Sequence, residues 1–130
     1  MFVDASVIVA IVSLEPEHEV LARRLDEAEA PITSGLAIFE AVTAIVRKKR
    51  LRVSEALEIV QEMLSRTEID VVDVSAETAA SALGAFAQYG KGRGHKAQLN
   101  LCDCFAYAMA KQHGVPLLYR GDDFSQTDLA

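Results

Sequence analysis

Short apolar runs alternate with longer amphipathic ones along this chain. Phe2 and Val3 lead into Asp4 as a brief buried strand, and Ser6 stands where it caps an apolar helix over Val7 to Ser13. Glu15 to Ala30 reads as a charged helix punctuated by leucines and stopped by Pro31, and Pro31 to Ser34 as a second strand. From Gly35 the apolar positions Ile38, Val42, Ile45 and Val46 recur at helical spacing. Ser54 is placed to cap the next helix, whose buried stripe is Leu57, Val60 and Leu64. The β-branched run Ile69 to Val74 predicts a third strand.

Ser75 opens an alanine-rich helix that ends at Gly90, and Gly90 to Gly94 is glycine-rich enough to require a loop. Helical spacing resumes around Lys96, with a break near Asn100, and runs to His113, where Gly114 and Pro116 stop it. Val115 to Tyr119 is a fourth strand and Gly121 to Phe124 a turn. Short apolar strands alternating with helices predict an α/β domain, a parallel sheet covered on both faces. No repeat or linker divides the chain, so the expectation is one domain over residues 1–130.

Composition narrows the function classes. Half the residues are hydrophobic (51%) and a quarter charged (25%), which is a globular balance. The longest uncharged apolar run, Ala5 to Leu14, is far shorter than the roughly 20 residues of a membrane span. No signal peptide is visible, because Asp4 interrupts the N-terminus and no basic region precedes the apolar run; a cytoplasmic protein is expected. Cys102 and Cys104, two apart in a helix, suggest neither a disulfide framework nor a zinc site and read as small apolar fillers. The scattered His18, His95 and His113 share no ligand spacing. A net charge of −6 argues against a generic lysine-coated nucleic-acid binder. The bases are nevertheless clustered, in Arg47-Lys48-Lys49-Arg50 with Arg52 and in Lys91, Arg93 and Lys96 beside His95. Such runs are ordinarily solvated surface, and matter only if a phosphate-directed site lies near them.

The acids are more informative. Asp4 is the one charged side chain between Met1 and Leu14, Glu40 the one between Pro31 and Val46, and Asp103 the one between Ala97 and Ala110. Each alone reads as a helix cap or an element end. Three uncompensated carboxylates in three core segments are harder to dismiss, since burying an unpaired one costs several kcal/mol. Asp4 ends the first strand and Asp122 and Asp123 follow the fourth, and ligands bind outside the carboxyl ends of parallel strands. If these acids converge, each close pair repels by about 4 kcal/mol at an effective dielectric near 20, so they take up protons or hold a cation. Magnesium suits an all-oxygen set and leaves room for phosphate, whereas a set without histidine or cysteine disfavours zinc.

On these residues the chain resembles the PIN-domain family, and within it the VapC-type ribonuclease toxins of type II toxin–antitoxin systems. The marks run the length of the chain: Phe2-Val3-Asp4-Ala5-Ser6; Glu40; Gly94-His95-Lys96-Ala97 with Leu99-Asn100-Leu101; Asp103-Cys104-Phe105-Ala106-Tyr107-Ala108; and Gly121-Asp122-Asp123-Phe124 with Thr127-Asp128. The resemblance implies a PIN-like three-layer fold, a short parallel sheet flanked by helices. It implies a magnesium- or manganese-dependent endoribonuclease acting on structured RNA such as tRNA or rRNA, a homodimer, and a cognate VapB-type antitoxin. It assigns Asp4, Glu40 and Asp103 as catalytic acids, with Asp4 and Asp103 as metal ligands. The fourth acid is Asp122 or Asp123, with Asp122 favoured and Asp123 in support. Ser6 would stand beside a metal-bound water, and Arg47, Lys48, Lys91, Arg93 and Lys96 would face RNA. Cys102 departs from the glycine commoner before the aspartate.

Rival readings fit less well. A haloacid-dehalogenase-like phosphatase needs a second acid two residues after its nucleophile, where this chain has Ser6. A response regulator needs its phosphorylated Asp after a middle strand, but Ser75-Ala76-Glu77 follows the third. A catalytically inactive PIN-like module that binds RNA or protein is the remaining alternative.

Overall fold

A computed structural model describes residues 1–130. The elements in chain order are β1 (Phe2–Val3), α1 (Ala5–Val12), α2 (His18–Asp26), β2 (Ile32–Ser34), α3 (Gly35–Lys49), α4 (Val53–Arg66), β3 (Asp70–Val72), α5 (Ala76–Tyr89), α6 (Leu101–His113) and β4 (Leu117–Leu118). The four strands pair in parallel in the order β3-β2-β1-β4, so the expected α/β architecture is present.

That order dictates the layers. From β1 the chain steps through β2 to β3 in one direction, and right-handed crossovers place α1 to α4 on one face of the sheet. The last crossover returns past β2 and β1 to put β4 on the other side of β1, so α5 and α6 cover the opposite face. Side-chain alternation makes the division visible within single strands. Val3 and Leu118 pack with Leu25, Ile45 and Val60 in one core, whereas Phe2 and Leu117 pack with Leu99, Met109 and Phe124 in the other. The reversal of direction at β1 creates a crevice at the carboxyl ends of the strands. α6 runs back towards the amino ends, so its first turn, and with it Asp103, opens at that same edge.

Several boundaries differ from the sequence expectation, each for a local reason. The first helix begins at Ala5, because Asp4 rather than Ser6 is its cap; the Asp4 carboxylate accepts the Ser6 N–H at 3.0 Å. The second helix starts only at His18, after a turn in which Leu14 (φ 51°) and Glu17 (φ 78°) are left-handed. Ser54 lies inside α4, which Arg52 precedes, and the buried stripe is Ala56, Val60, Met63 and Leu64, leaving Leu57 exposed. β3 stops at Val72 on a sheet edge. No helix forms at Lys96, because Asn100 and Asp103 cap each other reciprocally and start α6 at Leu101: the Asn100 side chain accepts the Asp103 N–H at 2.9 Å, and Asp103 accepts the Asn100 N–H at 3.0 Å. No helix is long and apolar enough to cross a membrane.

Candidate active site

Asp4 leaves the end of β1 and is 5% exposed, and Asp103 in the first turn of α6 is 6% exposed. Both are held by backbone N–H groups at helix starts, where the helix dipole favours negative charge. Glu40 projects from α3, the helix that Ser34 caps at the end of β2 through a 3.2 Å bond from the Ala37 N–H. A narrow cleft is lined jointly by Asp4, Ser34, Glu40 and Cys102, with Phe2 and Ala106 beneath. Larger clefts lie elsewhere on the surface, but none gathers these acids.

The electrostatics show that the acids share one neighbourhood. Burial raises the Asp4 carboxyl above its ordinary range, opposed by its two hydrogen bonds from Ser6 and reinforced by the charge of Asp123. Burial likewise raises Glu40; the Cys102 thiol opposes this, and Asp4 and Asp123 add to it. Asp103 is pushed up to about 7, first by burial and then by the charges of Asp123, Asp4 and Glu40, against the hydrogen bond from Asn100. Four carboxylates therefore press on one another. None of them takes part in an ion pair.

The fourth of these acids is Asp123, which acts on all three others. Asp122, favoured from the sequence, lines a separate cleft with Glu17, Arg24 and Arg120. The chain order alone did not separate two adjacent aspartates; in the folded chain it is the charge of Asp123 that bears on the other three. Cys102 also departs from the filler reading, since its thiol faces Glu40 and is pushed up to about 12, whereas Cys104 is simply buried.

Ser6 stands between the acids and the last strand. Its hydroxyl donates to Asp4 Oδ2 at 2.6 Å and accepts the Arg120 N–H at 3.0 Å. The basic residues are dispersed by comparison. Arg47 is exposed at the end of α3, and Lys48 is paired with Glu15 at 2.6 Å. Lys91, Arg93 and Lys96 are exposed in the loop that leads into α6, with Arg93 over the Phe86 ring. Sequence reasoning passed over Glu15 and Arg120 and read Cys102 as a filler, because their significance lies in contacts between distant segments.

The donor set is compatible with a hard divalent cation: all oxygen, buried or half-buried apart from the exposed Asp123, and uncompensated by any base. No three His, Cys, Asp or Glu side chains are drawn tightly enough together to form a ready-made cage. Magnesium does not need one, since it keeps several waters and is held by one or two carboxylates.

Comparison with known proteins places this geometry. The PIN domain model matches residues 1–129. The chain belongs to the PIN-domain family. Its relatives within that family are VapC ribonucleases. One from Rhizobium meliloti (strain 1021) is 45% identical over 139 aligned positions, covering 98% of each chain. Ribonuclease VapC42 of Mycobacterium tuberculosis is 40% identical, over 99% of this chain and 96% of its own. Among solved structures, the PIN fold is matched by Mycobacterium tuberculosis VapC20, titled a sarcin-ricin loop cleaving toxin, with a TM-score of 0.75 and 19% identity over 95% of this chain and 92% of that one. The resemblance stated from the sequence and the fold it implied both hold.

Proposed function

We propose that this PIN-domain protein is the ribonuclease toxin of a toxin–antitoxin pair, cleaving structured RNA in the cytoplasm with Asp4, Glu40, Asp103 and Asp123 as its acid centre. The observation that carries the reading is the convergence of these four carboxylates at the carboxyl edge of the sheet without a protein cation. Magnesium or manganese, when bound, lowers the pKa of a coordinated water and neutralises charge on the phosphoryl oxygens. Asp4 and Asp103, fixed by helix N-termini, would hold the ion. Glu40 and Asp123 orient the attacking water, and Ser6 keeps Asp4 in place through its hydroxyl. Water attacks a backbone phosphorus in line, leaving a 5′-phosphate and a 3′-hydroxyl. Lys91, Arg93 and Lys96, exposed on the loop entering the Asp103 helix, would hold flanking phosphates, as would Arg47 and Lys48.

A second copy of the chain is the partner we assign to the apolar surface in which Phe39, Val71, Leu101 and Phe105 line one groove and Leu83 and Phe86 extend it. The cognate VapB-type antitoxin is assigned to the apolar positions that α2 and α4 leave outside the core, Val20, Val53 and Leu57.

Incubating the purified protein with total RNA tests the activity. Cleavage with magnesium, lost in chelator and in Asp4→Asn, is expected. A wild-type protein that binds RNA but never cuts it would replace this reading with the inactive module.

A further inference from the structure

Arg120 is tied to the acid centre by its backbone, yet its side chain turns away. Its N–H donates to Ser6 Oγ at 3.0 Å, and that hydroxyl donates to Asp4 Oδ2 at 2.6 Å. The Arg120 backbone is therefore two hydrogen bonds away from the Asp4 carboxylate. The guanidinium instead pairs through Nη1 with Glu15 Oε2 at 2.9 Å, and its Nε lies 3.7 Å from Glu17 Oε2. The Nε is buried without a hydrogen-bond partner, so the guanidinium is not fully satisfied where it sits.

Glu15 is itself unusual. Its side chain is only 15% exposed and takes two cations, Arg120 on one oxygen and Lys48 on the other at 2.6 Å. It lies in the turn whose Leu14 and Glu17 adopt left-handed backbone without being glycine. Such conformations are disfavoured and persist only where surrounding structure holds them. The turn thus presents Glu15 to Arg120 against local backbone preference.

We propose that Glu15 is a positioning residue which holds the Arg120 guanidinium off the acid centre, so that the carboxylates stay open to a divalent cation. Four crowded acids attract the nearest base, and a guanidinium on a carboxylate occupies both of its oxygens. Paired there, Arg120 would neutralise the charge that a metal ion needs and compete with it for the same lone pairs. Glu15, with weaker help from the exposed Glu17, supplies the alternative partner. This inference rests on the metal-binding reading of the acid centre.

The test is Mn²⁺ binding by titration calorimetry, with metal-free melting curves as the check on folding. In Glu15→Gln/Glu17→Gln both competing carboxylates are removed at nearly constant shape, and Mn²⁺ affinity is expected to fall about tenfold. Adding Arg120→Gln to that pair is expected to restore it to within about twofold of wild type, because the competing cation is gone. Arg120→Gln alone is expected to bind Mn²⁺ at least as tightly as wild type. Unchanged affinity in the pair, no restoration in the triple variant, or weaker binding by Arg120→Gln alone would each overturn the proposal. Wild-type protein that binds no Mn²⁺ would overturn the metal-binding reading itself, and this inference with it.

Discussion

Ser6 donates twice to one oxygen of Asp4, through its hydroxyl at 2.6 Å and its backbone N–H at 3.0 Å. The same hydroxyl accepts the Arg120 N–H, so a single oxygen joins the end of β1 to the loop after β4. Ser6→Ala keeps the backbone bond but leaves the Arg120 N–H without its acceptor. A loss of about 1–2 kcal/mol in urea denaturation is expected, with a higher Asp4 pKa and slower cleavage. Ser6→Thr, which retains the hydroxyl, is expected to recover most of both.

Asp103 gives a stability signature with a definite sign. Its carboxyl titrates near 7 in the folded protein against an ordinary value of 3.8. The native state therefore holds the proton more tightly than the unfolded chain across that window. Metal-free stability is expected to decline as pH rises from about 4 to about 7. Asp103→Asn, which can still accept the Asn100 N–H, flattens this decline and is more stable than wild type at about pH 8. Metal-free denaturation curves across pH decide it; a variant less stable than wild type at the alkaline end contradicts the crowding of the acids.

Protons and metal compete for the same oxygens, so the magnesium requirement should depend on pH. Below about 7 Asp103 is largely protonated, and the Mg²⁺ concentration for half-maximal cleavage is expected to be higher at pH 6 than at pH 8. Asp4→Asn and Asp103→Asn are expected to remove cleavage at both. Initial-rate titrations on one RNA substrate measure this, and a pH-independent Mg²⁺ requirement counts against metal binding at Asp103.

Cys102 is half-buried against Glu40, and its thiol is pushed up to about 12, first by burial and then by that carboxylate. Iodoacetamide at neutral pH is therefore expected to modify it far more slowly than a free thiol. Cys102→Ser preserves a donor to Glu40, whereas Cys102→Ala removes it, raises the Glu40 pKa further and lowers cleavage. Mass spectrometry of the alkylated protein and rates for the two variants separate these expectations.

The apolar surface gives a test independent of chemistry. Leu101 is 65% exposed and is shared by both apolar grooves. Leu101→Glu is expected to shift the protein from dimer to monomer in light scattering while its melting temperature changes little. A wild-type protein that is already monomeric at micromolar concentration removes the assignment.

Fold class was legible because it is written in local patterns. Brief β-branched strands, helical spacing after each and glycine or proline stops specify α/β alternation without reference to distant residues. The placing of Asp4, Glu40 and Asp103 in apolar stretches was legible for a related reason: an acid alone in such a stretch conflicts with its neighbours along the chain. Their hydrogen bonds were not legible. Asp103 takes its hydrogen bond from a residue only three places earlier, but the Asn100 N–H is free to donate to it only because α6 starts at Leu101 rather than at Lys96.

What the chain by itself determined was the alternation of strands and helices and the three acids stranded in apolar segments, since both depend on residues close in sequence. Only the tertiary structure decided that Asp123 rather than Asp122 joins them, that Cys102 faces Glu40, and that Glu15 draws Arg120 aside. The first and third depend on the return of β4 beside β1, and the second on the packing of α6 against α3. The physical reason is that electrostatic partners are chosen by distance through space, and spacing along the chain carries that distance only within a single helix or strand.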